Sequence, residues 1–560
     1  MEGFSLLYPS SIGSKHDAAL DAASFLELSS TAAHDLGLDE IIAAFTPDRG
    51  HQKEIRDVFS RLPRDPDVLA YRQAVLNDLL ANPGLAERFG ALLPVFDSLF
   101  QASFHSEREM TWLHEVVWRA GELQNIIDCL EGMGEMLRSA EVRIRSDGLR
   151  LLEAEIRRAQ EDATYQRLVK ELPGLLARLR SSASITIGVN LDSNLRPVQA
   201  TLLSVNEKPF KDQSLLNWLF GTSPDREGIA PLHSAPQRVS NLEGRVDPLM
   251  VPLFADLAHV LEKTAMPIAG QLRRYASLHG QLFTNLRQGL IFYLGAIRWI
   301  RRFQDLGLPV CQPEVAPADE RRCEVKDSYN LHLVLKQSLS QKGSGSTIVR
   351  NDIRLGADGR ILILTGPNSG GKTTYMQGVG VVHILAQAGC YVPGSQAVVS
   401  PLDHLFTHFP LEEKSELDTG RLGEEAIRLG QIFQELTRHS LVLLNETLSS
   451  TSFSESLYLA QDIVRILRRV GARAIYATHL HELAKRADEL NESVPGDSKI
   501  ISLVSSPMDE RASENGAGVK RTYKLEVRPP LGQSYAREIA SRYGISYEQL
   551  EGVLAKRGVL

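Results

Sequence analysis

Residues 366–373 read Gly-Pro-Asn-Ser-Gly-Gly-Lys-Thr, so Gly366, Gly371, Lys372 and Thr373 occupy every fixed position of the pattern G-x4-G-K-[ST]. Each residue type has a physical task there. Glycines let backbone N–H groups turn inward around phosphate oxygens, and the helix that follows offers its positive N-terminal end. Lys372 is predicted to reach the β- and γ-phosphates of ATP, and the Thr373 hydroxyl to ligate Mg²⁺. Pro367, Asn368, Ser369, Gly370 and Thr374 complete the predicted nucleotide-binding stretch. A second site of oxygen chemistry follows an apolar run at 441–444, where Asn445 and Glu446 stand together. That end of a strand usually carries an acid for the metal, so Asn445 and Glu446 join Thr373 as metal candidates. Glu446 is the candidate base for the attacking water. Thr478-His479 ends a third run, where His479 is predicted to sense the γ-phosphate.

These groups need a scaffold that brings three distant stretches together. Residues 361–364, 441–444 and 474–477 are short apolar runs without alternation, separated by helical segments. Such runs are expected of strands buried on both faces of a parallel sheet. Residues 318–560 are therefore read as an α/β P-loop NTPase domain, ABC-like, with a mostly parallel sheet. Before it, residues 64–317 read as a mainly α-helical core or lever region. In one stretch Leu137, Val142, Ile144, Leu149, Leu151, Leu152 and Ile156 give helical spacing, and Pro173 is expected to mark a break or a new start. Ile185, Ile187 and Val189 alternate, Asp192-Ser193-Asn194 supplies turn chemistry, and Val198, Ala200 and Leu202 alternate again, which predicts a β-hairpin near 184–205. Helical periodicity returns from about 248 to 305, and Pro309, Pro313 and Pro317 read as a linker. Residues 1–63 form an N-terminal segment of the core region, with short helical patterns such as 38–45.

The whole chain sets wider bounds. Its 560 residues exceed one hydrophobic core, and two to four domains are expected. A formal net charge of -7 gives nucleic-acid binding no support, although a basic stripe can sit on an acidic protein. Arg-rich helical stretches, such as the one carrying Arg143, Arg145, Arg150, Arg157 and Arg158, are the only direct hint of one. Cys129, Cys311, Cys323 and Cys390 show no CxxC spacing, which argues against a disulfide framework or zinc site and for a reducing cytoplasm. No signal peptide or membrane span is expected; the most apolar run, 290–297, leads directly into Arg298, Arg301 and Arg302.

The last 240 residues or so resemble the ATPase domain of the MutS mismatch-repair family. Residues 363–376, Ile-Leu-Thr-Gly-Pro-Asn-Ser-Gly-Gly-Lys-Thr-Thr-Tyr-Met, are similar to that family's P-loop over more positions than the generic pattern. Gly389-Cys390-Tyr391-Val392-Pro393-Gly394 and Asp403-His404-Leu405-Phe406-Thr407 resemble its next block. So do 441–446 with Thr451-Ser452 for the acidic motif, and Tyr476-Ala477-Thr478-His479 for the Ala-Thr-His strand end. The helical stretches from about 64 to 305 are similar to the family's lever helices. The resemblance implies a homodimer that binds DNA and changes its grip with ATP. In it, a segment of one subunit completes the other's site, and Thr419, Gly420 and Arg421 are the candidates here because the family's Ser-Thr pair is missing.

Departures from the family narrow those expectations. The chain is much shorter than a full mismatch-repair MutS, so mismatch-recognition, connector and nuclease domains are not expected. Phe25-Leu26-Glu27 spells the mismatch-wedging Phe-x-Glu but lacks the surrounding residues, and reads as ordinary helix sequence. A structured DNA substrate is expected rather than a mismatch. Residues 523–554 resemble the C-terminal helical dimer element. Asn445 keeps an oxygen but loses the charge of the usual Asp, which predicts weakened metal affinity and slow turnover. The competing readings are an ATP-gated protein-interaction module with little DNA binding or hydrolysis, its protein partner unknown, and a small-molecule kinase.

Overall fold

The computed structural model describes residues 4–9, 24–102, 112–139, 143–180, 184–194, 197–206, 280–339, 348–367, 370–410, 420–505, 522–530 and 544–557. The chain divides into two compact units: residues 92–142 with 153–284, and residues 2–91 with 143–152 and 285–560.

The second unit starts with β1 (Phe25–Glu27), α1 (Ser30–Asp35), α2 (Leu38–Phe45), α3 (Arg49–Ser60), β2 (Arg61–Pro63) and α4 (Pro66–Ala81). In α2 the residues Leu38, Ile41, Ile42 and Phe45 recur at three- and four-residue spacing and are all buried, the single apolar stripe that makes a surface helix. Helix α4 opens with Asp65 capping and proline in the first turn, a start that leaves no N–H unsatisfied by the ring. Residues 25–27 are not helical as expected. They pair antiparallel with 61–63, Phe25 opposite Pro63 and Glu27 opposite Arg61. Arg61 lies 4.2 Å over the Phe25 ring and its guanidinium contacts Glu27, so this distant partner decides the conformation.

Helices α5 (Pro83–Ala102), α6 (Trp112–Leu137), α7 (Asp147–Glu161) and α8 (Ala163–Arg180) follow, then a hairpin of β3 (Ser184–Leu191) and β4 (Pro197–Asn206), and α9 (Gly280–Asp305). In the first unit, Leu130 and Met133 of α6 and Leu168 and Leu172 of α8 are buried, and Phe96 packs 5.6 Å from Phe283. Two expectations fail here. Pro173 lies inside α8 without ending it, because buried Tyr165, Leu168 and Leu172 hold one face of the helix in its core. The apolar series from Leu137 to Ile156 is interrupted: α6 ends at Leu137 and α7 begins at Asp147, with Val142 outside the described residues. The buried Asp78 carboxylate of α4 accepts the N–H groups of Arg145 (2.8 Å) and Ser146 (2.7 Å), taking those donors out of any helix. The helical reading of 248–279 lies outside the described residues.

The remainder of the second unit holds β5 (Val310–Cys311), β6 (Glu314–Val315), β7 (Cys323–Ser328), α10 (Leu331–Leu339), β8 (Asn351–Leu355), β9 (Ile361–Thr365), α11 (Lys372–Gln387), β10 (Val392–Pro393), β11 (Gln396–Val399) and β12 (Leu405–His408). It continues with α12 (Gly420–Glu435), β13 (Leu441–Asn445), α13 (Phe453–Val470), β14 (Arg473–Ala477), α14 (His481–Lys485), α15 (Ala487–Ser493), β15 (Ile500–Ser505), β16 (Leu525–Val527) and α16 (Tyr547–Lys556). A six-stranded sheet has the order β12-β13-β14-β9-β15-β16. Every neighbouring pair is parallel except β15–β16. Strands β9, β13 and β14 are buried at every position, which explains their uninterrupted apolar runs. A smaller sheet, β6-β11-β7-β8, lies in the same unit.

The proline-marked stretch 309–317 is not a free linker. Val310–Cys311 pairs with β10 and Glu314–Val315 with β11. Its prolines keep their carbonyls as acceptors: Pro309 O takes the Gly394 N–H at 3.0 Å and Pro313 O the Gln73 side chain at 2.9 Å.

Candidate functional site

The register aligns three strand ends. Ala477 of β14 sits beside Asn445 of β13 on one side and Leu364 of β9 on the other. The loops leaving these strands therefore meet at the carboxyl edge of the sheet, where ligands of open parallel sheets bind.

The loop after β9 is shaped by glycine. Gly366 has φ 150°, and a Cβ there would stand 2.7 Å from Ser505 Cβ on neighbouring β15. Gly371, at φ 87°, is the N-cap of α11 and brings no side chain to occupy the helix end. Gly370 is buried, and the Ser505 hydroxyl donates to its carbonyl at 2.6 Å, while its own N–H donates to Pro367 O at 3.1 Å. Asn368 and Ser369 lie outside the described residues. Lys372 is buried and its ammonium donates to Gly366 O (3.0 Å) and Pro367 O (3.1 Å), carbonyls of the loop itself. Burial lowers its pKa, and the negative charge of Glu446 partly opposes that shift. Thr374 anchors the helix start sideways, its carbonyl accepting from the Asn330 amide at 2.7 Å.

Thr373 and Asn445 come together: the hydroxyl donates to Asn445 Oδ1 at 3.2 Å. Two adjacent neutral oxygens suit a hard cation that retains water and phosphate ligands, so this donor set fits Mg²⁺. Among the described residues no cluster of three or more His, Cys, Asp or Glu could hold a metal alone. Glu446 and His479 also meet, His479 Nε2 lying 3.1 Å from Glu446 Oε1, both partly exposed to solvent. The Glu446 N–H donates to Ala477 O and the Thr478 N–H to Leu364 O, which ties the two loops to the sheet edge. His481, two residues further on, has its pKa lowered by burial and then by His479, Lys372 and Lys485.

The segment expected to complete a neighbouring site is described only in part. Thr419 lies outside the described residues, Gly420 opens α12, and the Arg421 side chain also lies outside them. Glu425 of the same helix reaches its own chain, accepting the Leu448 N–H at 2.6 Å. The arginine stripe is largely occupied: Arg150 contacts Asp147, Arg157 contacts Glu153 and Arg158 contacts Glu155 on their own helix.

One feature beside the glycine loop had no counterpart in the sequence reading. A cavity of about 440 Å³ opens beside Gly371 and Thr374, lined also by Tyr329, Val349, Tyr375 and Tyr523. Tyr523 stands at φ 52°, held there by Asn351, whose amide donates to Tyr523 O and whose carbonyl accepts the Leu525 N–H, both at 3.0 Å. No motif marks it, because its walls come from stretches up to 195 residues apart, Ser328 to Tyr523.

A strand–glycine loop–helix cradle on an interior strand of a mostly parallel sheet defines a P-loop ATPase domain. Comparison with known families agrees: the family described as MutS domain V matches residues 362–540, and that described as MutS2 N-terminal domain matches residues 64–306. The chain belongs to the MutS family. A DNA mismatch repair protein MutS from Chlorobaculum parvum is 30% identical over 229 residues, 40% of this chain and 26% of that protein. A DNA mismatch repair protein MutS 2 from Halobacterium salinarum is 37% identical over 150 residues, 27% of this chain and 17% of that protein. A MutS from Geobacillus sp. is 28% identical over 290 residues, 50% of this chain and 31% of that protein. The matched stretches thus span less than a third of these curated relatives. Among the described residues no helix is long and apolar enough to cross a membrane.

Proposed function

We propose that this chain binds ATP with Mg²⁺ at the Lys372 cradle, hydrolyses it slowly, and acts as a homodimer gripping structured DNA in a nucleotide-dependent way. The observation that carries the reading is the convergence of Lys372, the Thr373–Asn445 oxygen pair and the Glu446–His479 pair on one sheet edge. Phosphate oxygens replace the loop carbonyls as partners of the Lys372 ammonium, and the α11 N-terminus faces the same charge. The nucleoside occupies the cavity beside Gly371, with Tyr523 at its rim. Thr373 and Asn445 hold the Mg²⁺, which neutralises phosphate charge when bound. Glu446 takes the proton of the attacking water while His479 orients the carboxylate; the water oxygen bonds to the γ-phosphorus as the bond to the ADP oxygen breaks. Thr419, Gly420 and Arg421 are the residues offered to the partner's site.

Fluorescent-nucleotide titration and steady-state phosphate release test this directly. Glu446→Gln is expected to keep ATP binding and lower turnover by about 10²–10⁴-fold. Asn445→Asp is expected to tighten Mg²⁺ and raise turnover; equal or slower turnover sinks that role for Asn445. The ion pairs that occupy the arginine stripe favour a second reading, an ATP-gated module that holds a protein and little DNA. Mobility shifts on duplex, single-stranded and four-way junction DNA across a salt series separate the two. A steep loss of binding with salt marks phosphate contacts, and no binding at low salt leaves the second reading.

A further inference from the structure

The Glu446 carboxylate is presented by a turn with unusual backbone. Glu446 (φ 50°) and Leu448 (φ 64°) are both left-handed without being glycine, a conformation that persists only where surroundings over-determine it. Several contacts surround that turn, among them the Ser456 hydroxyl, which donates to Leu448 O at 2.7 Å. His408, at the end of β12 and almost fully buried, has Nδ1 3.0 Å from Thr447 Oγ1. The buried Tyr476 hydroxyl donates to Thr447 O at 3.1 Å. Glu425 accepts the Leu448 N–H, and Ala477 O accepts the Glu446 N–H at 2.9 Å. His408 itself cannot drift, because its neighbour Thr407 donates to the buried Asp35 carboxylate of α1 at 2.7 Å.

We propose that His408 and Tyr476 are positioning residues that grip Thr447 from two sides and so fix the Glu446 carboxylate beside Lys372 and His479. The inference rests on the reading of Glu446 as the base in ATP hydrolysis. Both side chains are buried against Thr447, and neither is among the groups assigned to the nucleotide. Their contribution passes through the strained turn: with Thr447 released, the backbone relaxes toward ordinary φ values and the carboxylate swings off the line of attack.

Tyr476→Phe removes one hydroxyl and keeps the ring; His408→Leu and Thr447→Val remove the other grip. Each variant is measured in the full chain for thermal midpoint, ATP affinity and steady-state hydrolysis. The expected result is a kcat lower by about tenfold or more with KM and nucleotide affinity within about twofold, a loss confined to the chemical step. Combined with Glu446→Gln, the same substitutions should leave the residual rate unchanged, since they act through a group already disabled. Thr447→Ser, which keeps the hydroxyl, should restore most of the rate lost in Thr447→Val. Unchanged kcat in both Tyr476→Phe and Thr447→Val overturns the proposal. So does a kcat loss that tracks ATP affinity, or one that persists undiminished on the Glu446→Gln background. Absence of turnover in the unaltered chain overturns the hydrolytic reading itself, and this inference with it.

Discussion

The loops after β9 and after β13 both bend through left-handed backbone at the same sheet edge, by opposite means. The first places glycine where the turn demands it, Gly366 at φ 150° and Gly371 at φ 87°. The second places Glu446 and Leu448 there and holds them by contacts from β12, α12 and β14. Glycine makes a loop self-sufficient: it writes its conformation into its own sequence and puts no side chain in the way of a ligand. A clamped loop depends on residues far along the chain, and in exchange fixes a charged side chain in one direction. The binding of an anion needs only the first kind; aiming a base needs the second.

That contrast separates what could be read in the sequence from what could not. The phosphate cradle, its Lys372 and the Asn445–Glu446 and His479 strand ends stood in local order, since each follows a run buried on both faces. The α2 helix was legible because Leu38, Ile41, Ile42 and Phe45 mark a stripe within eight residues. Strand β12 was not, since Thr407 and His408 are polar residues buried by partners 372 and 39 positions away. The 25–27 strand and the gap between α6 and α7 failed for the same reason: Arg61 and Asp78 override the local pattern. The cavity beside Gly371 had no signal at all, its walls meeting only in three dimensions.

The largest expected effect comes from breaking the glycine loop. In Gly366→Ala the new methyl meets Ser505 Cβ at 2.7 Å, against a backbone that L-residues rarely adopt. The loop must move off β15, and the Gly366 and Pro367 carbonyls that hold Lys372 move with it. ATP affinity is expected to fall about a hundredfold, or ~2.7 kcal/mol. Adding Ser505→Gly clears the closest contact but leaves the φ and the Ser505 carbonyl at 3.3 Å, and removes the hydroxyl that holds Gly370 O, so recovery should be partial. Wild-type affinity in Gly366→Ala would mean that the cradle does not depend on this backbone.

The clamped loop should show its dependence on pH. Burial, and then Arg428, push His408 down to about 4, below the ordinary histidine value of 6.5, while hydrogen bonds to the His408 and Glu425 backbones oppose the shift. Because the folded pKa is depressed, this histidine's contribution is fully present above about pH 6.5. It is lost as pH falls toward 4, where the unfolded chain takes up a proton the folded chain refuses. Between pH 6.5 and 5 the loss from this one group is about 2 kcal/mol. Urea unfolding across that range should be steeper for the native chain than for His408→Asn. Equal slopes would remove His408 from the account of acid sensitivity.

The smallest effect tests the comparison most directly, by asking what glycine is worth in each loop. At 371 the structure already uses glycine, and Gly371→Ala forces a β-carbon into left-handed backbone at a cost of about 1 kcal/mol. At 448 the native residue is a leucine buried to 2% exposure, so truncation costs about 2–5 kcal/mol whichever small residue replaces it. The difference between two truncations isolates the backbone. In most places glycine is the less stable replacement, because it frees the unfolded chain. At φ 64° the order should reverse, and Leu448→Gly should be more stable than Leu448→Ala by about 1 kcal/mol. If alanine proves the better tolerated, the turn relaxes once the leucine is gone, and its left-handed form belongs to the packing of that side chain rather than to the grip on Thr447.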